Sequence, residues 1–197
     1  MIIKRLEEPF AQYVIGITAF NTFNLDDSTL LLAHITHSTK LSEQPVIQFF
    51  NADKIAGWLH LYTSAYFTVK SLVKLSTKIK SIELELLRWV SAQKQLSDAI
   101  NIMGVKEGDK RLAVLSIGLN ENTVRDKISQ ILGEYNLIEQ PELLEIDENK
   151  IQRLKRLFQI SDTEFNSLLE DRDNPDSGKT LIIKLIINRI SALILKK

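Results

Sequence analysis

The chain has 197 residues, 25 Lys and Arg against 25 Asp and Glu, no cysteine and a hydrophobic fraction of 44%. These values exclude a disulfide framework, a cysteine-based zinc site, a thiol nucleophile and a basic field over the whole molecule, so nucleic-acid binding, where present, is local. At this length one core can withdraw about 70% of the unfolded surface from water, which makes a single domain over residues 1–197 the expectation, in an intracellular, cytoplasmic setting.

Met1 to Phe10 carries Lys4, Arg5, Glu7 and Glu8 where an export signal needs an uninterrupted apolar run. Ala11 to Phe20, β-branched and aromatic around Gly16, reads as a strand, after which Asp26 or Asp27 caps a helix through Leu30 to Thr36. Pro45 closes a polar run, and Val46 to Phe50 is a second strand candidate leading into Asn51-Ala52-Asp53. From Lys54 the period becomes helical: Ile55, Leu59, Tyr62, Tyr66, Val69 and Val73 form the expected inward stripe, His60, Ser64 and Lys74 lie off it, and Asp53 is the expected N-cap.

After the basic linker Lys78 to Lys80, Ile82 to Val90 is apolar on more than one side and is expected to lie deep in the fold. A helix with Leu96, Ala99, Ile100 and Met103 inward follows, with Ser91 placed to cap it and Gly104 to close it in a left-handed conformation. Val105 to Asp109 is a turn and Leu112 to Ile117 a short buried strand. Asn120 caps a helix carrying Val124, Ile128, Ile131 and Leu132, ended by Gly133, and Leu143 to Ile146 is a candidate extended piece. Asp147 caps an amphipathic helix with Ile151, Leu154, Leu157 and Phe158 inward and Arg153, Lys155 and Arg156 outward. Residues 161–178 are acidic and turn-rich, an expected exposed insertion. The last helix, Lys179 to Lys196, contains the most hydrophobic segment, but Lys184, Asn188 and Arg189 interrupt the run of about 20 apolar residues that a membrane span requires.

Ser177-Gly178-Lys179-Thr180 copies the end of a phosphate-binding P-loop. Asp173 stands where glycine should, Pro175 removes an amide and no buried strand precedes it, so coincidence is the better account. His34 and His37 share a possible helix face without further ligands, and no metal site or cofactor is expected. Nothing has the types and spacing of a nucleophile–base pair, tuned carboxylates or a dinucleotide fingerprint, so the chain is not expected to be an enzyme.

One corner stands apart: Arg88-Trp89-Val90-Ser91-Ala92-Gln93-Lys94-Gln95-Leu96. A lysine in a helix's first turn opposes the positive end of the dipole unless an anion comes to it. An anion site and a plain capped helix start both fit these residues. The final helix is similarly two-sided: its apolar residues spread wider than one core stripe, which suits either a partner strip or burial on both sides.

Five blocks carry a family resemblance: Phe49-Phe50-Asn51-Ala52-Asp53-Lys54-Ile55-Ala56; Leu84-Glu85-Leu86-Leu87; Ser91-Ala92-Gln93-Lys94-Gln95-Leu96-Ser97-Asp98-Ala99-Ile100; Gly104-Val105-Lys106-Glu107-Gly108; and Leu144-Glu145-Ile146-Asp147-Glu148-Asn149-Lys150. In order and spacing the chain resembles the small subunit of the KEOPS complex, the PRPK-binding protein family, in its archaeal form. It departs in having Lys94 where arginine is common, extra residues between Phe20 and Val46, and the acidic segment 161–178.

The resemblance implies an α+β fold, helix-rich, with helices packed on a small, mainly antiparallel sheet, and a non-catalytic role. It implies binding to the Bud-type kinase/ATPase subunit, indirect association with the threonylcarbamoyl-transferring subunit, and binding of the tRNA 3′ end. On this basis Arg88, Ser91, Gln93, Lys94, Gln95 and Lys106 are the expected tRNA-binding residues. Ile182, Ile186, Ile190, Leu193 and Ile194 are the expected kinase-facing ones. The competing readings are a small-molecule-binding or an oligomerising α+β protein without tRNA contact.

Overall fold

The computed structural model describes residues 1–23, 27–41, 44–75, 79–171 and 174–194. Its centre is a four-stranded antiparallel sheet in the order β1-β2-β4-β3, built from β1 (Ile2–Arg5), β2 (Val14–Asn21), β3 (Val46–Asn51) and β4 (Arg111–Gly118). The register Ile17↔Leu115 and Phe49↔Val114 makes β4 the shared central partner of β2 and β3. Nearly every residue of β2, β3 and β4 is buried because both faces of the sheet are covered, so these strands read as continuous apolar runs without alternation.

Side-chain direction along each strand sorts residues between two cores. Ile15, Ile17, Val46, Phe50, Leu115 and Ile117 face the larger core, formed with α1 (Gly57–Leu75), α2 (Ile82–Ser91), α5 (Glu148–Leu157) and α7 (Pro175–Ala192). Phe20, Ile47, Phe49, Leu112 and Val114 face a smaller one beneath α4 (Glu121–Glu134) and the 3₁₀ turn Ser28–His34. Each such fully buried Phe or Ile contributes roughly 1.5–3 kcal/mol. α4 approaches the sheet at Gly16 and Gly118, where an added Cβ would come within 2.7 Å and 2.8 Å of Val124.

Strands β2 to β4, the Asn120 cap of α4 and the Asp147 cap of α5 follow the sequence expectations. Several other expectations are corrected. Strand β2 begins at Val14, because residues 11–13 form the turn from β1, a strand with no clear period of its own. Asp27 caps a 3₁₀ turn that ends at His34; Asp26 lies outside the described residues. Asp53 caps nothing: Asn51 accepts from its backbone N–H, residues 52–54 form a 3₁₀ turn, and α1 begins at Gly57.

The buried face of α1 is also rotated from the expected stripe. Leu61, Ser64, Ala65, Thr68 and Val69 face inward, whereas Leu59 and Val73 are 36% and 56% exposed. Ile82–Ser91 is a helix, capped by the Ser81 hydroxyl, and Ser91 is its last residue. The next helix, α3, spans Leu96–Met103 with Gln95 at its N-cap and no side-chain cap. Gly104 has φ −60°, so its role is space: an added Cβ would lie 2.5 Å from the Ile100 carbonyl oxygen. Pro141–Leu144 is a 3₁₀ turn where an extended piece was expected.

Lys155 turns inward at 6% exposed, pairs with Asp162 and places its Nζ 4.7 Å over the Phe165 ring. Within 161–178, Ser161 caps α6 (Asp162–Leu168), which sends Phe165 into the larger core, and α7 starts at Pro175 behind an Asn174 cap. The helix-ending Lys196 and Lys197 lie outside the described residues. No described helix is long and apolar enough to cross a membrane.

Candidate functional site

The corner between α2 and α3 is shaped by a short hydrogen-bond chain. Glu85, Arg88 and Trp89, at i, i+3 and i+4, share one face of α2. Glu85 accepts from Trp89 Nε1 at 2.9 Å and from Arg88 Nη1 at 2.7 Å. Arg88 Nε then donates across the turn to the Lys94 carbonyl at 3.0 Å. The Arg88 carbonyl accepts from the Gln93 amide and the Ser91 hydroxyl, both at 3.1 Å, and Ala92 makes the reversal at φ +54°. Without a β-branch, alanine tolerates this left-handed conformation with modest strain.

These bonds place the expected tRNA-binding residues as follows. Lys94 and Gln95 are exposed at the start of α3, though Lys94 precedes the N-cap and so stands one step outside the first turn. Gln93 is half-buried, with Nε2 3.4 Å from the Ser91 carbonyl. Ser91 is 1% exposed and its hydroxyl turns back into α2, so it shapes the corner from inside. Arg88 is held by Glu85 and the Lys94 carbonyl. Lys106 is exposed but lies beyond the far end of α3, about 12 Å along its eight residues. The corner therefore brings together Arg88, Gln93, Lys94 and Gln95, and leaves Lys106 apart.

The region around Lys106 belongs to a second network that unites other matching blocks. Asn51 Nδ2 donates to Asp109 at 2.7 Å, and Lys54 Nζ donates to the Ile102 carbonyl at 2.5 Å, a cation at the negative end of α3. Burial lowers the Lys54 pKa from its ordinary value. Asp53 pairs with Arg111 at 2.5 Å. Nearby Lys150, 3% exposed, donates to the Leu143 carbonyl at 3.0 Å, and desolvation brings its pKa down to about 8. Behind the corner, His60 is fully buried: its Nδ1 accepts from the Ala56 amide at 3.1 Å, so its Nε2 carries the proton donated to the Val90 carbonyl at 2.9 Å. Desolvation lowers its pKa to about 4, which keeps it neutral.

The last helix divides differently from expectation. Ile182, Ile186 and Ile190 are 0% exposed and complete the larger core, so these three do not present a surface. Leu193 is half-buried and Ile194, just past the helix, is 38% exposed. The outer side of α7 shows Lys184 and Asn188 flanked by half-buried Ile183 and Ile187. Ile183 also walls a groove of about 620 Å³ with Ile2, Trp58, Leu144 and Ile146, and Trp58 is 39% exposed. At the other end of α7, Leu193 and Arg189 share a depression of about 310 Å³ with Ala92, Gln93 and Gln159, so the corner and the helix end are neighbours. The sequence does not mark Ile183 and Ile187 as the outward pair, because apolar residues at successive positions spread around most of this helix.

His34 bonds the Tyr135 hydroxyl at 3.2 Å, while His37, at φ +54°, lies outside the 3₁₀ turn. Among the described residues no three His, Asp or Glu side chains gather as a metal site.

The fold and these surfaces define an α+β domain whose outward features include a polar helix corner and a mixed polar and apolar outer side of α7. The family model described as kinase binding protein CGI-121 matches residues 23–193, and the chain belongs to that family of kinase-binding proteins. No curated protein matches the chain.

Proposed function

We propose that the chain is the small, non-catalytic subunit of a KEOPS-type assembly that installs threonylcarbamoyl on tRNA adenosine, and that it binds both a Bud-type kinase/ATPase subunit and the tRNA 3′ end. The observation that carries the reading is the family match across 23–193, which supplies the kinase. The outer side of α7, with Ile187 and Ile194 and the half-buried edge of Ile183, is the surface we assign to it, since Ile182, Leu185, Ile186 and Ile190 are enclosed in the core.

The RNA half of the reading rests on the corner. The first amides of α3 have no side-chain cap, and the exposed Lys94 and Gln95 stand beside them with Gln93. Helix-start amides and a cation suit a phosphate, and glutamine amides suit the edges of unpaired bases, the part of RNA that proteins read directly. A single-stranded 3′ tail presents both. Lys94 contributes charge without the planar fork of arginine, so its contact is a point contact.

Binding of intact tRNA, compared with tRNA lacking its 3′ tail, tests the RNA reading. The intact form is expected to bind more tightly, with log affinity falling against log salt at the shallow slope of one or two phosphate contacts, roughly 0.7 each for single strands. Equal binding of the two would place recognition elsewhere. For the kinase, Ile187→Glu is expected to remain folded and to lose the partner in a pull-down. Retention of the kinase at full affinity would remove this side of α7 from the interface.

A further inference from the structure

We propose that Glu85 and Arg88 are positioning residues for the corner: Arg88 acts as a strut that sets the Lys94–Gln95 backbone and not as a phosphate contact. The inference rests on the RNA reading above and assigns what holds that site in shape.

Glu85 is 9% exposed and both of its oxygens are used, one by the indole of Trp89 and one by Arg88. Trp89 is itself fixed, 7% exposed and stacked on Phe67 at a centroid distance of 5.1 Å. The anchor therefore runs from the core outward: Phe67, Trp89, Glu85, Arg88, then the Lys94 carbonyl. A charge-assisted bond to a nearly buried carboxylate is strong and weakly screened. For Arg88 to swing out to a phosphate, Glu85 would be left as a poorly hydrated, unpaired charge, which opposes the movement. Held in place, Arg88 grips both ends of the turn, through its own carbonyl to the Gln93 amide and through its guanidinium to the Lys94 carbonyl. The direction in which Lys94 and Gln95 leave the backbone follows from that grip.

Charge alone and positioning predict opposite signs. Removing the Glu85 charge by Glu85→Gln should tighten binding to an anionic RNA if only the field matters. The strut predicts weakening instead, by about fivefold, the scale of one lost net hydrogen bond. Arg88→Met should weaken binding by a similar factor with an unchanged salt slope, whereas loss of a phosphate contact would reduce that slope by about 0.7. Arg88→Lys retains the charge but not the fork, and serves where Glu85→Gln does not fold; it too should weaken binding, and full affinity in it would overturn the strut.

Amide hydrogen exchange at Gln93 and Ala99, whose amides donate to the Arg88 and Gln95 carbonyls, measured without RNA, is expected to quicken in these variants while the rest of the chain keeps its protection. Tighter binding by Glu85→Gln, a reduced slope in Arg88→Met, or unchanged exchange at Gln93 and Ala99 would each overturn the proposal. Quickened exchange with unaltered tRNA affinity would remove the role in recognition alone. A wild-type protein that leaves intact tRNA unbound removes the RNA reading and this role with it, and the exchange data then still report whether Arg88 holds the turn.

Discussion

Two sets of polar groups use similar side chains in opposite ways. His60, on α1 against the last turn of α2, Glu83 in the first turn of α2 and Lys150 on α5 are almost wholly enclosed, and each is matched to partners: His60 to the Ala56 amide and Val90 carbonyl, Lys150 to the Leu143 carbonyl, Glu83 to Thr36, Ser38 and Ser81. At the corner, Lys94 and Gln95 are exposed and the start of α3 has no side-chain cap. Enclosure commits polar groups to the fold, since an unmatched one would cost about 1–3 kcal/mol or more. Exposure puts the corner's side chains on the surface, where a ligand can reach them. The same distinction separates the two sides of α7, where Ile186 is a core residue and Ile187 a surface one.

The strongest test of that division is on α7. Ile186→Glu forces a carboxylate into the larger core and is expected to cost more than about 4 kcal/mol, enough to unfold much of the population in a urea titration. Ile187→Glu should cost less than about 1 kcal/mol, and similar losses in the two variants would erase the assignment of sides.

His60→Ala comes next, at about 3 kcal/mol, from the cavity and the two unmatched backbone groups it leaves. The same histidine gives an acid limb. Its folded pKa is about 4 against 6.5 ordinarily, so the unfolded chain takes up the proton first as pH falls. Stability held above pH 6.5 is then lost progressively down to pH 4, by about 3 kcal/mol for a shift of this size. His60→Gln should flatten that limb; a limb of unchanged depth would assign it to other groups.

Lys150 sharpens the comparison at alkaline pH. Its folded pKa of about 8 lies below the ordinary 10.5, so the charged form is disfavoured by folding. Stability is expected to rise between pH 8 and 10.5, as the folded protein releases its proton ahead of the unfolded chain, and the rise should vanish in Lys150→Met. The smallest effect on stability belongs to the corner. Lys94→Ala should change unfolding by no more than about 0.5 kcal/mol while weakening tRNA binding, and a large stability loss would move Lys94 into the fold's own machinery.

Strands β2 to β4 were legible because β-branched runs bounded by turn residues have few alternatives, and the caps Asn120 and Asp147 because their side-chain oxygens sit one step before helical periods. The inner face of α1 was not. Ser64 and Thr68 face inward by donating to the carbonyls of His60 and Ser64, four residues back, a local pairing that lets hydroxyls pass as core residues. Lys155 misled for a related reason, since a partner carboxylate and an aromatic face, both remote in the helical pattern, receive its charge. At the corner the residue types were visible and their arrangement was not. Ser91 has a capping side chain, yet α2 continues through it, and the role of Arg88 depends on an Ala92 reversal that composition does not encode.

The chain has two tryptophans, and the structure gives them contrasting surroundings. Trp58 is 39% exposed at the groove beside α7, whereas Trp89 is enclosed against Phe67 with its indole N–H on Glu85. The protein thus has built-in optical reporters for its two surfaces: a water-contacting indole whose emission answers to anything that covers the groove, and a sheltered one whose emission answers to changes at the corner. With Trp58 replaced by Phe, the remaining signal would follow Trp89 alone, without any dye or label.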